Sequence, residues 1–156
     1  MKKVSKDTPL MELTLRRYER PDKMDTRDLI KKFCLSMGLL QPGDSRDIIV
    51  DILYVLLRAK TDQRILTSEQ INLEVKRLRE DHKLAQFGVA PSNVRRQIKR
   101  LRDLLLVEKV RNNYRITEFA GLSNNYKEKF EQYLLPSVVG RINEYFREID
   151  RVFGHN

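Results

Sequence analysis

Tryptophan is absent and cysteine occurs once, at Cys34, so this 156-residue chain has no intramolecular disulfide and no cysteine-based zinc site. A lone thiol of this kind reads as a small buried hydrophobe and fits a reducing compartment. Histidine occurs only at His82 and His155, too few and too far apart for a metal cluster, and no Cys-His pair is apparent. The six glycines form no phosphate-binding loop. No uncharged apolar run is long enough to span a bilayer, and the opening MKKVSKDTPLMEL has lysines but no apolar leader core. The expectation is a cytoplasmic protein that is not an enzyme, with no cofactor, no metal and no membrane partner.

What the chain has in excess is positive charge. Thirty-one Lys and Arg against 22 Asp and Glu give +9 and a pI near 9.8, which implies an anionic partner without saying which. Forty per cent hydrophobic residues with 34% charged suits a folded, helix-rich chain rather than a disordered one. The length suits one core with appendages better than two independent domains.

Periodicity and punctuation divide the chain into 1–41, an N-terminal arm with a possible strand and a helix; 42–117, a central domain; and 118–156, C-terminal helices. The first nine residues read as a loose arm. Leu13 and Leu15 alternate with polar neighbours, as a short strand or one helical turn would. Asp25 or Thr26 caps a helix through DLIKKFCLSM that stops at Gly38. After Pro42 and Gly43, Asp44 offers an N-cap to a helix reaching Ala59, with so many apolar residues that it must be central. Capping and solvation account for Asp44, Asp47 and Asp51 along its start.

Thr67 and Gln70 make a capping box for a second helix with Ile71, Val75 and Leu78 inward, and Ile65 before it suggests a short strand pairing with a later hairpin. Pro91 opens a third helix, residues 91–105, with Val94, Ile98, Leu101 and Leu105 inward and Ser92, Arg96, Lys99 and Arg100 opposite. Two short alternating runs, 106–110 and 114–117, flank Arg111, Asn112 and Asn113 as a hairpin turn. Thr117 caps a helix from Glu118 to about Leu135, where Pro136 breaks the chain. In the last helix Val138, Ile142, Tyr145, Ile149 and Val152 recur at spacings of four and three, widened by Phe146 and Phe153. That breadth favours homodimerisation over folding back on the monomer's own core.

Helix, helix, basic helix, hairpin, helix is the grammar of a mainly α fold with a β-hairpin wing. On TSEQINLEVKRL, APSNVRRQIKRLRDLLLVEKV and YRITEFAGL the chain resembles the winged helix-turn-helix transcription regulators over about half its length. The resemblance implies a third helix in the major groove of double-stranded DNA and a wing on the backbone or adjacent minor groove, carried by Ser92, Asn93, Arg95, Arg96, Lys99, Arg100 and Arg111, with Lys109, Asn112 and Arg115 completing the basic hairpin. Between Pro91 and Arg115 there are eight basic and two acidic residues, six of the net nine charges. By side-chain chemistry Arg96 and Arg100 fork onto guanine, Asn93 pairs with adenine, Ser92, Arg95 and Lys99 take phosphates, and Arg111 enters a narrow minor groove. A homodimeric regulator leads. A replication, partition or chromatin-associated protein and a protein-binding winged helix subunit remain open alternatives.

Overall fold

The computed structural model describes residues 7–154, so the expectation for the first six residues and the position of His155 lie outside the described residues. The chain is mainly helical with one two-stranded antiparallel hairpin, in the order α1 (Thr26–Ser36), α2 (Ile48–Thr61), α3 (Ser68–Asp81), α4 (Pro91–Asp103), β1 (Val107–Val110), β2 (Asn113–Ile116), a single 3₁₀ turn (Thr117–Phe119), α5 (Leu122–Asn125), a π-helical stretch (Tyr126–Leu134) and α6 (Leu135–Val152). The α2-to-hairpin unit followed by helices has a shape compatible with a winged helix arrangement, with further helices running to the C-terminal side.

α2 is the hub, as its apolar excess requires. Ile48, Ile49, Val50, Ile52, Leu53, Val55 and Leu56 are all buried, and α1, α3, α4 and β2 pack around them. α3 begins on the capping box: Thr67 Oγ1 accepts from Gln70 N–H at 3.1 Å, and Gln70 Oε1 accepts from Thr67 N–H at 2.9 Å. In α4 the residues Val94, Ile98 and Leu101 are buried against this hub, which fixes the opposite face outward.

The first four helices end alike. In each, the residue two past the helix is left-handed and donates to the carbonyl three residues back while the next residue donates to the carbonyl five back, a Schellman motif: Gly38 to Leu35 O with Leu39 to Cys34 O, Gln63 with Arg64, Lys83 with Leu84, and Leu105 with Leu106. Only the first of these left-handed residues is glycine. Leu105, at φ +61°, therefore lies beyond α4 rather than on its inner face, and the helix closes at Asp103.

The hairpin pairs Val107 with Ile116 and Val110 with Asn113, so its turn has two residues, Arg111 and Asn112, both at positive φ, and Asn113 belongs to the strand. A third short partner comes from the loop before α3, where Leu66, not Ile65, exchanges two backbone hydrogen bonds with Tyr114 at 3.0 and 2.7 Å. The sheet is thereby tied to α3.

Several local expectations are corrected. Residues 11–18 form no strand: they carry no regular secondary structure and are tied to the end of α1, with Arg16 N–H bonded to Ser36 O and its guanidinium donating to the Leu35 and Leu40 carbonyls. The N-cap position of α2 falls at Asp47, whose carboxylate makes no capping bond, and Asp44 instead accepts from Arg46 N–H within the loop. Thr117 does not cap a long helix. Its hydroxyl donates to Leu105 O at 2.8 Å, and Glu118 and Phe119 adopt positive φ, so helical geometry resumes only at Leu122. Pro136 does not break the chain: the wider π-helical turns before it lead straight into α6, and proline, lacking an N–H, occupies that helix's first turn.

The largest departure concerns Asp47 and Asp51. Neither is merely solvated or capping. Both are buried in a quartet with Arg27 of α1 and Arg79 of α3: Arg27 forks onto Asp51 at 2.9 and 3.0 Å and reaches Asp47 at 3.1 Å, while Arg79 Nη1 donates to Asp51 at 2.6 Å and to Asp47 at 3.0 Å. Two buried positive and two buried negative charges balance, with the partly exposed Lys31 ammonium 3.7 Å from Asp47, and Arg79 Nε donates to Ala85 O in the loop before α4. Burial works against ionising Asp47, but hydrogen bonds from Arg79 and Arg27 outweigh it and hold the carboxyl below its ordinary value.

Candidate nucleic-acid interface

The interface is built on the solvent face of α4, which the buried stripe on its other side orients. Ser92, Arg96 and Lys99 lie within about 60° of one another opposite that stripe, at 100° per residue, and all are exposed. Arg95 and Arg102 flank them, also exposed. The turn before the helix is pinned from three sides: Asn72 Nδ2 donates to Val89 O at 2.7 Å, Asn93 Nδ2 to Gly88 O at 2.8 Å, and Arg79 to Ala85 O. Gly88 takes φ +78°, and a Cβ there would lie 3.0 Å from Asn93 Nδ2. These contacts set where α4 starts and hence where its cations project.

The basic residues differ in how free they are. Among the described residues Arg95, Arg96, Arg102 and Arg111 make no ion pair; Arg96 has only a 3.3 Å bond to Asn93 Oδ1. Lys99 bonds Asp103 one turn on, at 3.2 Å, but both ends are well exposed, and such a pair is easily exchanged for a phosphate. Arg100 is half-buried, donating to Gln97 Oε1 at 2.9 Å and to Gly38 O at 3.2 Å, which ties α4 to the end of α1. Asn93 is likewise engaged, holding Gly88 and accepting from Gln97. Both are placed at the edge of the face, Asn93 with both ends of its amide bonded inside the chain and Arg100 with one hydrogen of each terminal nitrogen so used.

On the wing, Arg111 and Asn112 form the exposed tip. Lys109 is exposed, its ammonium 5.9 Å from the Tyr114 ring. Arg115 sits lower, bonded to Glu108 at 2.6 Å and stacked over Phe119 at 4.8 Å, so it stiffens the base of the hairpin. Burial opposes ionisation of Glu108, but the Glu118 N–H and Arg115 prevail and keep its carboxyl low.

The structure also brings together residues that are distant in the chain. A cleft of about 450 Å³ between the start of α2 and α4 is lined by Leu40, Arg46, Ile48, Asn93, Arg96 and Arg100. Arg46, exposed in the loop before α2, thus stands beside the α4 arginines from 50 residues away, and no local pattern announces that. Arg102 counted toward the charge cluster in the sequence, and its place on the flank of the face follows from helical spacing alone.

The remaining expected site residues lie elsewhere. Val138 is half-buried, whereas Ile142, Tyr145, Phe146, Ile149, Val152 and Phe153 are exposed along α6, none of whose residues is buried. α6 does not fold back to complete the core. Among the described residues no three His, Cys, Asp or Glu side chains are grouped to hold a metal, and no helix is long and apolar enough to cross a membrane. Burial drives the Cys34 thiol up to about 12.

No family model, curated protein or solved structure matches this chain significantly. The shape is compatible with the winged helix superfamily, and the functional reading rests on the chain's own residues.

Proposed function

We propose that this protein binds duplex DNA, placing α4 in the major groove and the wing on the backbone or adjacent minor groove, and that it acts in the cytoplasm as a homodimeric, sequence-specific transcription regulator without catalytic activity. The observation that carries the reading is the row of unpaired, exposed arginines on α4, continued by Arg111 at the hairpin tip. Exposed cations left without carboxylate partners are suited to release counterions from a polyanion. A basic helix held rigidly on its apolar side presents them in fixed register.

Ser92, Arg95 and Lys99 contact phosphates, Arg96 reaches base edges, and Arg111 and Asn112 follow the wing, with Lys109 alongside. Arg100, Asn93 and Arg115 serve by positioning: the first two hold α4 and its preceding turn, the third the hairpin. Arg46 adds a phosphate contact at the front of α2. The exposed apolar stripe of α6 supports the homodimer, since contiguous apolar surface of this kind marks an interaction site.

Binding-site selection from random duplexes tests this. A regulator returns a consensus, and on it R96A costs roughly 1–3 kcal/mol while random duplex is little affected. Selection that returns no consensus despite retained binding would assign an architectural role instead. Equal losses on both duplexes would make Arg96 a phosphate contact.

A further inference from the structure

We infer that two copies of the chain pair through α6 in antiparallel orientation, with the dyad between Asn143 and Glu144, a step that rests on the homodimer in the proposed function and specifies its geometry. The apolar stripe supplies the surface. Ile142, Tyr145, Phe146, Ile149, Val152 and Phe153 are each at least half exposed, and Phe153 reaches 76%. Whole aromatic side chains bury about 150–250 Å² apiece. The three aromatics, with Val139, Ile142, Ile149 and Val152 beside them, therefore approach the roughly 800 Å² per partner of a stable interface.

Charge decides orientation and register. In heptad terms Leu135, Ile142 and Ile149 fall at a, Val138, Tyr145 and Val152 at d, and the flanking g positions are Arg141 and Glu148. With the dyad at the middle of α6, Leu135 meets the second copy's Val152, Val138 its Ile149, and Ile142 its Tyr145, so the whole helix from Leu135 to Val152 is used. The same register sets Arg141 beside the second copy's Glu148, twice by symmetry, within about 3 Å along the axis at 1.5 Å per residue. Slipping one heptad either way opposes Glu148 to Glu148 or Arg141 to Arg141. Parallel pairing sets Arg141 and Glu148 against Phe146 and Phe153, with no charge partner for either. Their present partners, Glu144 and Arg151, are neighbours on the same exposed helix face and release them at little cost.

The arrangement has a consequence for DNA. Each winged domain joins α6 at Leu135, so antiparallel pairing places the two attachments at opposite ends of a rod about 27 Å long. The two winged domains are then held apart at the two ends of the pair, as reading two half-sites requires. Parallel pairing would bring both domains to one end.

Spin labels at E144C and R151C, in otherwise unaltered protein whose own Cys34 is fully buried, read the orientation by dipolar coupling. Antiparallel pairing predicts a 151–151 distance longer than 144–144 by on the order of 10 Å, because the former pair is displaced about 22 Å along the axis. Equal distances would establish a parallel dimer and overturn the inference while leaving the homodimer in place; a monomer without coupling would overturn both. DNA binding, read separately by gel shift, is independent of either result. R141E and E148R should each weaken dimerisation several-fold and restore it when combined; failure of the combination to rescue would also refute this register.

Discussion

Asp51 offers the sharpest test of the fold, because its side chain is fully buried yet carries three charge-assisted hydrogen bonds from two arginines. Asp51→Asn preserves shape but removes one of the two negative charges that neutralise Arg27 and Arg79. An uncompensated cation is then left inside the junction of α1, α2 and α3. Breaking a buried pair in this way costs about 3–5 kcal/mol, a large part of the roughly 5–15 kcal/mol that holds a domain folded. At a urea dependence of about 2 kcal/mol per molar, the unfolding midpoint falls by about 2 M. Lys99→Ala, which removes a pair exposed by 69% and 61%, is the control. It should change stability by no more than about 0.5 kcal/mol. Arg79→Met combined with Asp51→Asn restores neutrality, so the double variant should lose less than the sum of the singles. An Asp51→Asn cost under about 1 kcal/mol, or simple additivity of the two changes, would refute a buried, charge-balanced quartet.

Further outcomes are expected. Asp47 has a depressed folded pKa, so its stabilisation is complete above the unfolded value of about 3.9 and is lost as pH falls through the lower folded value; Asp47→Asn should flatten the acid limb of a stability–pH profile. Gln63→Gly and Lys83→Gly relieve exposed left-handed residues at φ +53° and +55° and should each raise the unfolding midpoint, by up to about 1 kcal/mol in stability. Thr67→Ala removes the capping box and should cost about 1 kcal/mol in the same titration. Cys34, buried with its thiol pushed up to about 12, should react with a thiol reagent only on unfolding.

What the sequence revealed was local. The Thr67–Gln70 box, the apolar stripe of α4, the hairpin and the apolar face of α6 each repeat or reciprocate within a few residues. Helix ends were less readable, since Gln63, Lys83 and Leu105 fill left-handed positions where glycine would have signalled a stop. The Arg27–Asp47–Asp51–Arg79 quartet was hidden for a different reason. Its members lie on three helices, 20 to 32 residues apart, and an aspartate at a helix start looks the same whether it caps or pairs. The same distance concealed Arg46 beside Arg96. At the interface, spacing identified which residues face outward, but only tertiary contacts show that Asn93 holds the turn before α4 and that Arg100 reaches back to Gly38 O at the end of α1, while Arg95 and Arg96 make no such long-range bond.

The central claim is that α4 and the wing bind duplex DNA through unpaired cations, and a salt titration of binding to a random duplex measures this directly. The logarithm of the association constant should fall linearly with the logarithm of salt, at about −0.9 per phosphate contacted. R95A and R111A should each make that slope shallower by about 1. Absence of binding at low salt, or a slope unchanged in both variants, would contradict the account.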